Sequence, residues 1–430
     1  MKSIGALTAV LVMAPVAWSA PPPRALRLGD AIRLALTRNE RARIADLDVV
    51  TADAGVAKAR AGFLPVLAAQ GNYTRKPWDT PPNAAGGTLT LRQPLLVPSA
   101  WPLLAEARHK LAAQRAQSAD DKRQLAFDAA RAFFRVLVAE QVVQAAQRKL
   151  DTARADLADT GAQVKAQLVS SNDVTRAQIG LARSARELAG DQGNLDAAYL
   201  QLALIVNERV APGLVALEAP DALFEAGARP LPAVEALVAS SLARRPDLAA
   251  RKDLARAAHD AAREPRMRWV PALDLAAQLT ASSQAVQADG SIVRGVASTI
   301  TLNVSWMIYD AGSRDADARS RDAAAAIADL TTEGLVRTID AEVRTAAASL
   351  HSAQQALVAA RDAMTASRQS AGETAILYHQ QLARASELLD ANEQRFVSEV
   401  DFAVAQFEVA GSYLALRQAM GLDPAGAQLP

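Results

Sequence analysis

The chain of 430 residues contains no cysteine. It can build neither a disulfide framework nor a thiolate metal site, and it offers no cysteine for a lipid anchor. Aromatic residues make up only 4% of it, too few for a large core built on ring packing. An excess of one charge is missing as well. The 47 basic and 46 acidic side chains are mostly interspersed and leave a net charge of +1, so there is no basic footprint for nucleic acid. Beyond the first residues, no apolar run reaches the roughly 18 residues that a membrane-spanning helix requires. If the chain enters a membrane, it must do so as a closed β-barrel, because an open sheet edge in lipid leaves backbone groups unpaired.

What is present begins with a leader. Residues 1–19 carry a positive start at Lys2, an apolar run from Ile4 to Val16, and small residues at Ala17 and Ser19. That is the pattern of a secretory signal peptide. Cleavage is expected after Ser19, since a cut after Ala20 would set bulky Trp18 at the minus-three position. Residues 20–27 then form a short N-terminal extension. Hydrophobic residues reach 50%, much of it alanine, and small side chains over long stretches suit closely packed helices.

An internal repeat organises the rest. Leu36 falls on Leu242, Pro65 on Pro271 and Leu67 on Leu273, at a constant offset of 206 residues. LRQPLLVPS from Leu91 lies over VSWMIYDAG from Val304, and SNDVTRAQ at 171–178 over SELLDAN at 386–392, through Asp173 with Glu387 and Ala177 with Ala391. The order and near-constant spacing of these matches divide the chain into a first repeat at 28–212, a linker at 213–230, a second repeat at 231–421 and a tail at 422–430.

Each repeat reads as helix, two strands, very long helix, turn, helix. The first repeat predicts helix 28–63, strands 66–74 and 88–96, helix 100–165 and helix 172–207. The second predicts helix 232–268, strands 271–281 and 298–308, helix 312–377 and helix 386–420. Asp30 is placed to cap the first helix and Pro65 to end it. No proline occurs between Pro102 and Pro212 or between Pro271 and Pro424. Val143, Leu150, Leu157 and Val164 fall seven apart, as do Val336, Val343, Leu350, Leu357 and Met364. This spacing keeps one apolar seam against a neighbouring helix, as in a coiled coil. Each long helix would span roughly 95 Å at 1.5 Å per residue, and a compact monomer has no use for such a rod. The shorter helices are about half as long, so two stacked end to end would match it.

The four strand segments alternate with period two. Leu67, Ala69, Gly71 and Tyr73 alternate with Ala68, Gln70 and Asn72; Leu89, Leu91, Gln93 and Leu95 alternate with Thr90, Arg92 and Pro94. In the second repeat Leu273, Leu275, Ala277 and Leu279 alternate with Asp274, Ala276, Gln278 and Thr280, and Ile300, Leu302, Val304 and Trp306 alternate with Thr301, Asn303 and Ser305. A barrel strand between lipid and a wet lumen needs such faces. After the leader, tryptophan occurs only at Trp78, Trp101, Trp269 and Trp306, beside these segments, where an interfacial girdle would put it. Segments 79–87 and 284–296 read as exposed turns. Four strands cannot close a transmembrane barrel, whose minimum is about eight, so copies must share one; two or three copies both satisfy the arithmetic. The fold class is therefore mostly α with a transmembrane β part: internally duplicated, with long antiparallel coiled-coil helices forming a tunnel and four strands per subunit in a shared oligomeric barrel.

The chain resembles the TolC-like outer-membrane efflux proteins over residues 28–421. The resemblance is carried by AIRLALTRNE (31–40), FLPVLAAQGNYTR (63–75), ARRPDL (243–248), WVPALDLAAQ (269–278), WMIYDAGSRDADAR (306–319) and ELLDANEQRFVSEVDFAVAQFEVAGSYLALRQAMGL (387–422), in that order. It implies a homotrimer in the outer membrane with a twelve-stranded barrel and a twelve-helix periplasmic tunnel. It implies partners as well: a periplasmic adaptor, and an inner-membrane efflux pump or ABC exporter that supplies the energy for drug efflux, metal export or protein secretion. It also implies an acidic constriction at the periplasmic entrance, matched here by Glu387 and Asp390, whose spacing of three sets them on one helix face. Around a three-fold axis they would form negative rings that attract cations. A family Tyr-x-x-Gly is matched by Tyr378 but departs at its glycine, which is Gln381 here and Gln167 in the first repeat. Asp173, Gln167, Tyr378, Gln381 and Arg384 are the candidate tip contacts, and Arg384 could bridge to a neighbouring subunit.

No catalytic chemistry emerges. His109, His259 and His351 have no partner at ligand spacing, and His379 lies near the tip. No GxxxxGK[ST], HExxH or GxSxG motif occurs. No enzyme, cofactor or metal site is expected. The competing reading is a periplasmic coiled-coil adaptor, which would nest one helical hairpin within β-rich flanks; this chain instead runs the same plan twice.

Overall fold

The computed structural model describes residues 26–75, 83–167, 170–210, 221–286, 292–380 and 382–424. The leader, Trp78 and Gln381 lie outside the described residues, as does the side chain of His379. In chain order the elements are α1 (Leu28–Arg38), α2 (Glu40–Ala61), β1 (Val66–Arg75), β2 (Asn83–Leu96), α3 (Ala100–Lys165), α4 (Ser171–Val206), α5 (Asp221–Gly227), α6 (Val234–Arg244), α7 (Pro246–Met267), β3 (Ala272–Val286), β4 (Ile292–Ser305), α8 (Ser313–His379) and α9 (Ala385–Ala419).

Alanine-rich segments with no proline beyond the first turn make the two rods, α3 of 66 residues and α8 of 67. At 1.5 Å per residue each is about 100 Å long. Beside the sheet α3 packs on α2 and α7; toward its far end it packs on α4 and α9. Val56 of α2 meets Leu104 and Leu111 near the start of α3, and Leu188 of α4 meets Ala146 and Leu150 near its end. Val336, Val343, Leu350 and Leu357 of α8 share one cluster with Val409, Tyr413 and Leu416 of α9, so that seven-residue seam is a helix contact.

Two helices that read as continuous are each broken. The segment 28–63 stops at Asn39, which is extended (φ −72°, ψ 137°) and restarts the chain as α2 by accepting the Arg41 N–H at 2.9 Å. The segment 232–268 stops at Arg245 (φ −64°, ψ 120°), because Pro246 opens α7 and drives the residue before it out of the α region. Asp30 does not cap α1; it accepts from Arg33 at 2.5 Å. The linker also contains α5.

The strands form one antiparallel sheet in the order β1-β2-β3-β4. They are longer toward their connections than the sequence suggests: residues 83–87, 284–286 and 292–296, read as turns, belong to strands. Gly86 and Gly87 pair there with Ser282 and Ala281. A ladder of this kind needs only backbone groups, so it leaves no hydrophobic alternation to read. At the other end β4 stops at Ser305, and Trp306–Ile308 leave the ladder.

The register places Leu67, Leu91, Ala277 and Ile300 in one row across all four strands, and Ala68, Thr90, Gln278 and Thr299 in the next. Because alternate rows face opposite sides, the sheet has one apolar and one polar surface. On the polar surface Arg92 pairs with Asp274 at 2.8 Å, and Asn303 donates to the same carboxylate at 3.1 Å.

Candidate entrance and barrel wall

The far ends of the rods bring the tip residues together. α4 begins at a capping box, in which Ser170 Oγ accepts the Asn172 N–H and the Asp173 carboxylate accepts the Ser170 N–H, both at 3.2 Å. In the second repeat the Glu387 carboxylate accepts the Arg384 N–H at 3.3 Å. Asp173 and Glu387 therefore perform the same task at positions that align in the repeat. Glu387 and Asp390 are both exposed, one turn apart on α9.

Gln167 has φ +61°, the left-handed region that favours glycine. The position where the sequence departs from the family pattern is thus one whose backbone would suit glycine. Tyr378, buried near the end of α8, donates its hydroxyl to Gln163 Oε1 of α3 at 2.8 Å. Sequence reading missed Gln163, which carries no motif and meets Tyr378 only across 215 positions.

Between the hairpins α3/α4 and α8/α9 runs a groove with a cavity of about 330 Å³ near the tip, lined by Asp156, Asp173, Arg176, Tyr378, Asn392 and Arg395. Burial pushes the Asp156 carboxyl above its ordinary range, and the nearby Asp159 adds to this; Asn392 and Arg395 oppose it without prevailing. Higher in the groove, Lys149 lies between Glu187 and Glu393. Burial disfavours its charged form, but the two carboxylates outweigh this and raise its pKa.

Where the sheet meets the rods, two aromatic junctions occupy repeat-equivalent positions. Phe63 and Trp101 pack in a tilted arrangement with ring centroids 4.9 Å apart. In the second repeat Arg314 lies 3.7 Å from the centre of the Trp269 ring, and Trp306 donates its indole N–H to the Trp269 carbonyl at 3.0 Å. Trp101, Trp269 and Trp306 are all exposed at this end of the sheet. Among the described residues no helix is long and apolar enough to cross a membrane, and no group of three or more candidate metal ligands occurs.

The sequence model of the family described as "Outer membrane efflux protein" matches residues 31–208 and 237–422, one stretch in each repeat. This chain belongs to the outer membrane efflux protein family. It is accordingly an outer-membrane channel subunit, a duct for efflux with a periplasmic helical part. Membership also implies work within a tripartite system.

Solved structures agree on the fold. The transmembrane channel CusC matches with a TM-score of 0.80 at 18% identity, covering 92% of each chain. The outer-membrane channel OprN matches with 0.75 at 22% identity, covering 92% of this chain and 89% of its own. The open state of the MtrE outer membrane channel of Neisseria gonorrhoeae matches with 0.77 at 20% identity, covering 94% and 93%. No curated protein matches the chain by sequence.

Proposed function

We propose that three copies assemble into one duct, with a twelve-stranded barrel in the outer membrane and a helical tunnel in the periplasm. The observation that carries this is the four-stranded sheet with one apolar face, one polar face and two unpaired edges, β1 and β4. In lipid each edge strand must find a partner, and β4 of one copy can pair with β1 of the next. The helices support the same closure. Ile44, Leu47 and Val50 of α2 and Leu200 and Leu204 of α4 are exposed along one margin of the subunit, and Ile327, Leu330 and Val358 of α8 along another. Between copies these margins would cover each other. The apolar sheet face would meet lipid, with Trp101, Trp269 and Trp306 at the periplasmic interface. A particle image of the detergent-solubilised protein tests this; a monodisperse monomer or dimer would refute it.

At the tip, Glu387 and Asp390 are proposed as the entrance constriction. Both are exposed one turn apart at the start of α9, and three copies would set six carboxylates around the axis. The cap that Glu387 makes engages only one of its two carboxylate oxygens. Bilayer recordings of Glu387→Ala with Asp390→Ala should show weaker cation preference or a wider entrance, and wild-type values would remove the assignment. The tip, including Asp173, Gln167, Tyr378, Gln381 and Arg384, is the proposed docking end for a periplasmic adaptor that links the duct to an inner-membrane efflux pump or ABC exporter.

A further inference from the structure

We infer that Lys149 is a positioning residue that holds the first turns of α9, and with them Glu387 and Asp390, against α3 and α4. This rests on the entrance reading above and assigns the residue that fixes where those carboxylates stand.

Lys149 Nζ lies 2.7 Å from Glu187 Oε2 on α4 and 2.9 Å from Glu393 Oε2 on α9. It also stands 4.6 Å from the centre of the Phe396 ring of α9. Its side chain is only 11% exposed. One ammonium on α3 thus engages both flanking helices. Glu393 is one turn beyond Asp390 and two beyond Glu387, so the tie acts on the rigid segment that carries the pair.

The packing on either side explains why such a tie matters. α4 is zipped to α3 by Leu188 against Ala146 and Leu150. α9 joins the apolar core of α3 higher up, through Ala410 and Leu414 against Phe127, Phe134 and neighbours. Below that core a groove of about 1070 Å³ runs between the hairpins, lined by charged groups including Arg148, Asp156, Arg176 and Arg395. Lys149 crosses this groove. Removing its charge would leave Glu187 and Glu393 facing each other, with Asp191 adding a third negative group beside Glu187 and Arg183 only 4.0 Å from Glu187 to offset it. Two partly buried carboxylates without their cation repel, and α9, which packs less extensively on α3 than α4 does, is the element expected to shift.

The chain's lack of cysteine allows a direct test. Spin labels at Arg186→Cys on α4 and Gln394→Cys on α9, in subunits diluted with unlabelled ones, report the groove width by double electron–electron resonance. Lys149→Met should lengthen that distance and raise single-channel conductance, and Lys149→Arg should restore both. Glu393→Gln should act in the same direction, and the double variant should exceed neither single one, because both break one interaction. If Lys149→Met yields no folded oligomer, Glu393→Gln reads the same distance. Unchanged distances in both variants would overturn the proposal. If the groove widens while Glu387→Ala with Asp390→Ala leaves cation preference untouched, the tie stands and the entrance reading fails.

Discussion

The side-chain amide of Asn39 donates to the carbonyl oxygen of Ile205 at 2.9 Å, joining the start of α2 to the last turn of α4. Residues 206 and 214 positions further on repeat the contact, as Arg245 donates to the carbonyl of Ala419 at 3.2 Å. The duplication therefore extends to the bonds that stack a half-length helix on its partner. In both repeats they satisfy a carbonyl that the helix end leaves without an intrahelical donor.

The Asn39 joint is doubly used, since its Oδ1 caps α2 while its Nδ2 reaches Ile205. Asn39→Ala should lower stability by about 1–3 kcal/mol, the range of a lost cap plus an orphaned acceptor. Asn39→Asp keeps the cap and loses only the donor, so it should fall between. Thermal dissociation of the detergent-solubilised oligomer orders the three.

At the tip, Gln167→Gly should stabilise the chain by up to about 1 kcal/mol, because a side chain in the left-handed region costs roughly 1–2 kcal/mol against glycine's smaller entropic cost. Gln167→Val should destabilise it. Limited proteolysis at the tip gives the order; a valine variant as resistant as the glycine one would contradict it.

The sheet register predicts opposite outcomes for adjacent residues. Leu302→Arg places a charge on the apolar face and should disfavour insertion by about 2–4 kcal/mol per subunit at mid-bilayer depth. Thr301→Arg lies on the polar face beside the lumen and should insert normally. Membrane fractionation of the two variants checks the assignment of faces.

Two aspartates set opposing pH dependences. Burial would raise Asp247, but hydrogen bonding and the charge of Arg245 outweigh it and hold its carboxyl below the usual range. Its stabilisation is present above the unfolded carboxylate value of about 3.9 and is lost as pH falls through the lowered folded value. Asp156 has the reverse sign. Its raised folded pKa means that stability is gained as pH falls through that value toward about 3.9. Asp156→Asn should therefore raise stability at neutral pH and flatten the curve above pH 4, whereas Asp247→Asn should lower neutral stability and flatten it below. Denaturation midpoints measured from pH 3 to 8 separate the two.

The tip pair and the sheet faces were legible because the repeat aligns Asp173 with Glu387 and strand alternation is local. Asp173 and Glu387 each bond three residues back, and spacing of that kind survives in a one-dimensional string. The break at Asn39 was legible in type, since asparagine favours caps, yet the surrounding helical pattern hid it. Lys149 was not legible. Its partners lie 38 and 244 positions away, and among 47 basic residues nothing local distinguishes it from a solvated lysine.

Period-two and period-seven patterns, proline spacing and the repeat determined by themselves that this chain would make rods and two-faced strands in duplicate, because side-chain periodicity is a property of neighbours along the chain. Tertiary structure alone decided the β2–β3 pairing that merges two hairpins into one sheet, the stacking joints at Asn39 and Arg245, and the cation that ties α9 to its neighbours. Those contacts depend on which distant segments are brought within a few ångströms, and that proximity is created only when the helices stack and the repeats close on each other.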